Sequence, residues 1–438
     1  MHRRMIASND TIYAPSGAIG GAIVVIRVSG DDCARIAKSI LDRNVTKHPQ
    51  MLLHTLILEA GEPVDDCMAV FFRAPRSYTG EDMLELHCHG GMQTVQAVLR
   101  CLAATGARPA AGGEFTRRAF LAGKMDLTQA EAVMDVINAE AEAGLKAALS
   151  QLGGSVSRTI HAVEDLLLDA RSAIEAAIDY PDEAEADTYA SLPASLSEAQ
   201  AKIRVLIADG RKGRVLRDGL KLVILGKPNV GKSSLLNALL GEERAIVTSV
   251  AGTTRDVLDE HLSLRGVPVR LIDTAGLRDT GDEVERIGVS RAKQMMELAD
   301  VLLVVLDGTD VSDVDRTLLE QTAGRNRIVI SNKADLGVTT DADVAVSCKT
   351  GAGMDALIDR IVAMATPDLQ DGVCITNERH IHALELAELA LEHAQAAQEL
   401  DCIATDLRDA LQHLGEITGT DVDAAVIDRI FANFCVGK

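Results

Sequence analysis

Hydrophobic positions change their spacing several times along the chain, and each change predicts a different kind of structure. Up to about residue 122, short apolar runs alternate with turn residues. Ala22 to Val28 reads AIVVIRV between Gly20, Gly21 and Gly30, the pattern of a strand bounded by turns. Val64 to Phe72 predicts a second strand, and Met92 to Ala104 carries helical spacing. From Met125 the period lengthens. Thr128 followed by Glu131 is the signature of a capping box. Leu145, Leu149, Leu152, Val156, Ile160, Val163, Leu167, Ala170, Ile174 and Ile178 then recur every three or four residues, a stripe that needs a partner face to cover it. Pro181 is expected to close that helix, and another runs from Leu196 to about Leu216.

Strand-like runs return at Leu220–Leu225, Val267–Ile272, Val301–Leu306, Ile328–Ile330 and Val344–Val346, with helical stretches between them. That alternation predicts a parallel sheet with helices on both faces. After Thr366, Pro367 and Asp368, helical periodicity resumes through Ile381, Leu384, Leu391, Leu407, Leu411 and Leu414, and ends in Val426, Ile427, Ile430, Phe431 and Phe434. An α/β segment between two helical tracts reads as an insertion into one helical domain, because its first strand and last helix can begin and end close together. The expected fold is a multidomain α/β chain. An α+β domain covers 1–122, a helical domain is split between 123–217 and 369–438, and an inserted α/β domain covers 218–368.

Composition narrows the function classes. The 438 residues are too many for one ordinary core, which fits about three domains. No apolar run approaches the roughly 20 residues needed to span a bilayer, and MHRRMIASND lacks the apolar core of a signal peptide. The eight cysteines (33, 67, 88, 101, 348, 374, 402 and 435) are scattered with no CxxC pair, which suits a reducing cytoplasm. A formal charge of −21, no Trp and 2% aromatic residues argue against broad direct RNA readout. Any RNA contact is expected to be a local patch or to be shared with a partner.

The inserted segment carries the chemistry. Gly226 to Ser233 reads GKPNVGKS after a strand and before a helix (Ser234 to Leu240), the setting of a phosphate-binding loop. Its glycines let backbone N–H groups turn toward phosphate oxygens, Lys232 reaches the β- and γ-phosphates, and the Ser233 hydroxyl suits Mg²⁺. Gly252 to Asp256 (GTTRD) adds a hydroxyl for the Mg²⁺ shell in a loop able to order on the γ-phosphate, with Thr254 the expected ligand. Asp273 to Gly276 (DTAG) follows a strand, so Asp273 can hold Mg²⁺ through water and the Gly276 amide can meet the γ-phosphate. Asn332 to Asp335 (NKAD) selects guanine, since Asp335 accepts from N1–H and the 2-amino group. Adenine would leave that carboxylate unpaired at a cost of about 1–3 kcal/mol. Ser347, Cys348 and Lys349 would cover the base edge. Leu277 occupies the position where Ras-type GTPases carry a water-orienting glutamine, so the water must be positioned otherwise. Arg278, Asp282, Glu283 and Glu285 are the nearby candidates, against the plain alternative of a solvated acidic turn.

With these motifs in order, the sequence resembles the bacterial tRNA wobble-uridine modification GTPases, the MnmE or TrmE family. The GTPase phrases include Glu283 to Gly288 (EVERIG). More specific are Ser77 to Gly91 (SYTGEDMLELHCHGG), Gly113 to Leu127 (GEFTRRAFLAGKMDL) and Phe434 to Lys438 (FCVGK). The similarity spans essentially the whole chain. It implies an N-terminal tetrahydrofolate-binding and dimerising domain, a discontinuous helical domain and an inserted Ras-like G domain. It carries nucleotide contacts to Asn229, Val230, Gly231, Lys232, Ser233 and Ser234. Further contacts fall on Thr248, Ser249, Val250, Ala251, Gly252, Thr253, Thr254, Asp273, Thr274, Ala275 and Gly276, with Asn332, Lys333, Asp335, Ser347, Cys348 and Lys349 at the base. Asn229, Thr248, Val250 and Thr253 would ligate K⁺, a fixed positive charge in place of an arginine finger.

The resemblance also makes Glu285 the catalytic glutamate, acting with Lys232, Thr254 and Gly276. It places a reduced folate, 5-formyl- or methylenetetrahydrofolate, on Arg27, Glu85, Lys124 and Lys438. Read alone, Arg27 is a strand-end charge and Lys124 a solvated one. Cys435 reads as a small buried hydrophobe, and His87 and His89 as packing residues. The departures are Cys348, where Ala is common, and Val436, where Ile is common. The implied protein is a cytoplasmic, K⁺-stimulated homodimeric GTPase working with an FAD-dependent partner (MnmG, or GidA) on tRNA, FAD residing only in the partner. The rival is a regulatory GTPase of ribosome assembly, which shares the G motifs but has no use for folate.

Overall fold

Alternating side chains produce the first sheet. The computed structural model describes residues 10–242, 260–272, 295–337, 341–365 and 374–437, and the chain separates into two compact units, Met1–Met134 with Thr418–Lys438, and Asp135–Ile417. In the first unit the elements are β1 (Ile12–Pro15), β2 (Ile23–Ser29), α1 (Cys33–Ile40), β3 (Leu53–Glu59), β4 (Glu62–Phe72), β5 (Met83–His89), α2 (Met92–Ala104), β6 (Arg108–Pro109), α3 (Glu114–Leu121) and α4 (Leu127–Asn138). The strands form one sheet in the order β3-β4-β5-β2-β1-β6. Val24, Ile26 and Val28 of β2 and Leu84, Leu86 and Cys88 of β5 are buried with Ile36 of α1 and Val95, Val98 and Leu102 of α2. Because strand residues alternate faces, Arg27, Glu85 and His87 stand on the opposite side of the same strands.

The capping box falls two residues earlier than Thr128 and Glu131. The Asp126 carboxylate accepts from the Gln129 amide at 2.9 Å, and the Gln129 side chain accepts from the Asp126 amide at 3.1 Å. Asp126 is also the acceptor for the buried Thr128 hydroxyl at 2.6 Å. Asp is as good an N-cap as Thr, and Leu127, the first helical residue after it, is fully buried.

The second unit begins with α5 (Glu142–Leu152), α6 (Ser155–Asp179) and α7 (Pro181–Asp218). The expected continuous stripe is broken at Gly153 and Gly154, the latter left-handed at φ 78°. That break resets the helical phase. Val156, Ile160, Val163, Leu167, Ala170 and Ile174 are buried, whereas Leu145, Leu149 and Ile178 are exposed, and α5 instead buries Gly144, Ala147 and Ala148. α6 ends at Asp179, just before Pro181 as expected, and Pro181 also opens α7, because a first-turn proline sacrifices no helical hydrogen bond.

The sheet segment follows as β7 (Leu220–Leu225), α8 (Lys232–Glu242), β8 (Glu260–Leu264), β9 (Val267–Leu271), β10 (Val301–Asp307), α9 (Asp313–Gln321), β11 (Arg327–Asn332), β12 (Val344–Ala345) and α10 (Met354–Ala365). Its order is β12-β11-β10-β7-β9-β8, parallel except for the edge strand β8, which pairs antiparallel with β9. β8 has no counterpart in the strands expected from the sequence, since Glu260, His261 and Ser263 dilute its apolar signal.

Two further helices, α11 (Glu378–Ala396) and α12 (Leu400–Thr418), complete this unit. Leu384, Leu391, Leu407 and Leu414 share one core with Ile160, Leu167, Ile174 and Ile203, so helices before and after the sheet segment cover each other's stripes. Back in the first unit, α13 (Ala424–Ala432) packs Phe431, with Phe434, on Leu127 and Ala130.

One close approach joins the two sides of the sheet segment. A Cβ on Gly213, inside α7, would lie 2.2 Å from the Ile375 carbonyl and 2.8 Å from the Cys374 sulfur. In an open helix Gly→Ala stabilises by about 1 kcal/mol. Here Gly213→Ala is expected to destabilise by about 1–3 kcal/mol through overpacking, read as a lowered melting temperature of the full chain.

Candidate functional site

The phosphate-loop residues leave the carboxyl end of β7 and enter α8, as a parallel sheet requires. Gly226 (φ 155°) and Gly231 (φ 98°) permit the curl. A Cβ on Gly226 would fall 2.4 Å from the Val305 carbonyl, and one on Gly231 2.1 Å from the Asn332 amide nitrogen. Val230 is fully buried and fixes the loop from beneath. Lys232 donates to the carbonyls of Gly226 and Lys227 at 2.9 and 2.8 Å, closing the loop on itself, and burial lowers its pKa. Ser233 and Ser234 are exposed on the first turn of α8, and Asn229 is exposed with a left-handed backbone at φ 64°.

The base-side residues gather at the ends of β11 and β12. Asn332 donates to the Val230 carbonyl at 2.8 Å and accepts from the Cys348 amide at 3.4 Å, linking phosphate loop and base loop. Ser347 donates to one oxygen of Asp335 at 2.7 Å, orienting a carboxylate that stays exposed on its other side. Lys333, left-handed at φ 63°, carries its ammonium to Asp307 at 2.6 Å. The Lys333 hydrogen bond holds the Asp307 carboxyl down at about 2. Cys348 is half-buried, and Lys349 follows it in the same turn.

The structure thus brings Asn229 to Ser234 together with Asn332, Lys333, Asp335, Ser347 and Cys348. Thr248, Ser249, Val250, Ala251, Gly252, Thr253, Thr254, Asp273, Thr274, Ala275, Gly276 and Glu285 lie outside the described residues, as does Lys438.

Sequence reasoning missed Asp307 and the Lys227 contacts with Asp310 and Asp315. Asp307 had a readable signal, since it ends the apolar run of β10 at the carboxyl edge of a parallel sheet, where ligands bind.

A second constellation, half-buried, lies on the other face of the first sheet. Arg27 and Glu85 are directly paired across β2 and β5, with Nε to Oε1 at 2.9 Å. The Arg27 guanidinium sits 5.5 Å from the centre of the Tyr78 ring, a cation–π contact the sequence did not single out. His87 Nε2 is 3.8 Å from the second Glu85 oxygen, and the buried nitrogen has no hydrogen-bond partner among the described residues. Lys124 donates to the Pro75 carbonyl at 2.9 Å, at the start of the turn that carries Tyr78.

The chain end comes up against the neighbouring strand β1. A Cβ on Gly437 (φ 94°) would fall 2.1 Å from the Pro15 carbonyl, and Pro15 neighbours Ala14, the register partner of Arg27. Cys435 is exposed, contrary to its expected burial, because Phe434 takes the inward position there. His89 is exposed and bound to Asp65 at 2.7 Å, so it is not a packing residue. No group of three or more potential metal ligands occurs among the described residues.

A family model described as the MnmE helical domain matches residues 127–435, and one described as the GTP-binding protein TrmE N-terminus matches 11–124. The chain is 43% identical over 454 residues to the tRNA modification GTPase MnmE of Geobacter metallireducens, covering 98% of this chain and 99% of that protein. It is 41% identical over 457 residues to the tRNA modification GTPase MnmE of Natranaerobius thermophilus, covering 98% and 100%. Among solved structures, the G domain of the T. maritima FeoB iron transporter is 26% identical and matches 34% of this chain and 99% of that one, with a TM-score of 0.26.

The Asp307–Lys333 pair makes an acid-stability prediction. The folded-state pKa of Asp307, about 2, lies below the unfolded value of about 3.9, so its stabilisation is complete above about pH 4 and is lost as pH falls through about 2. In denaturant melts, Asp307→Asn is expected to be less stable than wild type by about 2 kcal/mol between about pH 6 and 4, and the gap closes toward pH 2.

Proposed function

Because the chain belongs to the MnmE (TrmE) family of tRNA modification GTPases, we propose that it is the GTP-hydrolysing component of a complex that builds a carboxymethylaminomethyl-type group on C5 of the wobble uridine of certain tRNAs. The protein is a GTPase of tRNA modification. In the proposed complex the one-carbon unit comes from a tetrahydrofolate derivative bound by this chain, and an FAD-dependent partner supplies the redox chemistry. The acidic charge and scarce aromatics fit a chain whose partner makes most of the tRNA contacts. No described helix is long and apolar enough to cross a membrane, and the proposed compartment is the cytoplasm.

The observation that carries the reading is the joining, in one chain, of a guanine-nucleotide loop with a half-buried Arg27–Glu85 pair on a separate sheet. Folate chemistry fits that pair. The pterin edge donates hydrogen bonds that a carboxylate accepts, and the glutamate tail needs cations such as Lys124 and Lys438. The His87 nitrogen beside Glu85, without a hydrogen-bond partner among the described residues, fits the same polar ligand site. The proposed organisation assigns 1–122 to folate binding and dimerisation, 123–217 and 369–438 to one helical domain, and 218–368 to the G domain.

GTP would lie along Asn229 to Ser234, with Ser233 and Thr254 on Mg²⁺ and Asp335 on the guanine edge. The exposed Ser233 hydroxyl and the loop's glycine cradle fit that use. Bound Mg²⁺ and K⁺ neutralise charge that develops on the phosphates. Asn229, Thr248, Val250 and Thr253 would hold K⁺. The chain's own part is to aim N–H groups at the phosphates, to release Lys232 from its loop carbonyls onto them, and to orient the attacking water through Glu285, with Thr254 and Gly276 at the γ-phosphate. K⁺ would also help two G domains of a homodimer associate.

Calorimetry with 5-formyltetrahydrofolate tests the folate arm. Wild type is expected to bind, while Arg27→Ala and Lys438→Ala each weaken binding at least about tenfold, as loss of a charge-assisted hydrogen bond implies. Absence of binding to well-folded wild type would remove the folate arm and leave the GTPase. For the cation site, steady-state GTP hydrolysis is expected to be faster in K⁺ than in Na⁺, and equal rates would count against it.

A further inference from the structure

The phosphate loop is tethered from outside by one of its own side chains. Lys227 follows Gly226, and its ammonium leaves the loop. It reaches the Asp310 carbonyl at 2.9 Å and Asp315 Oδ2 at 2.9 Å, with the Asp310 carboxylate at 3.4 Å and the Ser312 hydroxyl at 3.5 Å. Asp315 is a fixed post. It is fully buried, and the same Oδ2 accepts the Ser312 amide at 2.9 Å and hydroxyl at 2.8 Å in the capping box of α9. Its other oxygen, Oδ1, is buried without a hydrogen-bond partner among the described residues, so Lys227 is the cation that balances an otherwise costly carboxylate.

The need for such a tether follows from Lys232. In this structure Lys232 closes the loop by donating to the Gly226 and Lys227 carbonyls. An ammonium that turns to phosphates gives up both contacts, and the first turn of the loop loses its internal clamp when its geometry matters most. The Lys227 side chain anchors that same turn from the opposite direction, against a helix end that does not depend on Lys232.

We infer that Lys227, held by Asp315 and Asp310, is a positioning residue for GTP hydrolysis that keeps the first turn of the phosphate loop in place while Lys232 is transferred from the loop carbonyls to the nucleotide. The inference rests on reading residues 226–233 as the phosphate loop. It assigns Lys227 no contact with the phosphates. Its effect is on the alignment of the loop's N–H groups, which weighs more on turnover than on ground-state binding, because the transition state is the more demanding ligand.

The test compares full-length wild type, Lys227→Met, Lys227→Met/Asp315→Asn and Lys227→Arg in steady-state GTP hydrolysis, GDP binding and thermal melting. Lys227→Met alone strands a buried carboxylate and is expected to lower the melting temperature. The double variant removes both charges and is expected to recover that stability. The double variant is expected to bind GDP within a few-fold of wild type and to keep KM nearly unchanged, yet to lose about ten- to a hundredfold in kcat, as a small misplacement of catalytic groups does. Lys227→Arg, which can bridge the same carboxylates, is expected to restore kcat. Wild-type kcat in the double variant would overturn the positioning role. Failure of the double variant to fold would overturn it too, by assigning the pair to folding. Wild-type protein that binds no guanine nucleotide would instead overturn the reading of the loop, a result separable from either.

Discussion

A single side-chain amide ties the nucleotide half of the molecule together. Asn332, 97% buried at the end of β11, donates to the Val230 carbonyl 102 residues earlier and accepts from the Cys348 amide. Each partner belongs to a different loop, and each loop leaves the same edge of the parallel sheet. An apolar residue at this position would leave a buried carbonyl unsatisfied and would let phosphate loop and base loop move independently. Only a side chain with both a donor and an acceptor, placed where β7, β10 and β11 run side by side, can serve both. The close approach explains Gly231, whose missing Cβ leaves room for that amide.

Around this centre the charged residues work in pairs that rest on the sheet's carboxyl edge. Asp307 ends β10 and holds Lys333, and Asp315 opens α9 and holds Lys227. Both lysines belong to the motifs themselves, both carboxylates to the elements beneath. The pattern gives loops rich in glycine a rigid footing. Loop residues are free to take left-handed or strained conformations, as Asn229 and Lys333 do, because the neighbouring strands determine where the loops start and stop.

The first sheet is built on a different principle. One face is covered by α1 and α2, and the strand period places Arg27, Glu85 and His87 on the other. The Arg27–Glu85 pair on that face is half-buried, not a solvent-screened surface contact. Its geometry is organised by the Tyr78 ring, and the turn holding Tyr78 also receives Lys124. Positions 15 and 437 therefore meet beside the strand that carries Arg27.

Much of this was legible in the chain itself. The motif GKPNVGKS, the NKAD phrase and the five apolar strands of the α/β segment are contiguous, and their chemistry is local: backbone curl, hydrogen-bonding type and side-chain period. The less legible features each depend on partners far apart in sequence or on competition between neighbouring residues. Gly153 and Gly154 reset a helical stripe that looked continuous, Asp126 outcompeted Thr128 as the cap, and β8 was hidden among polar residues until β9 offered it a ladder. Arg27 meets Glu85 across 58 residues, and Lys227 meets a carboxylate that only the packing of α9 buries. The sequence by itself determined which elements form and which loops carry nucleotide chemistry, because those follow from neighbours along the chain. The tertiary structure alone decided which charges pair and which polar groups are buried, because desolvation and distance exist only once the chain has folded.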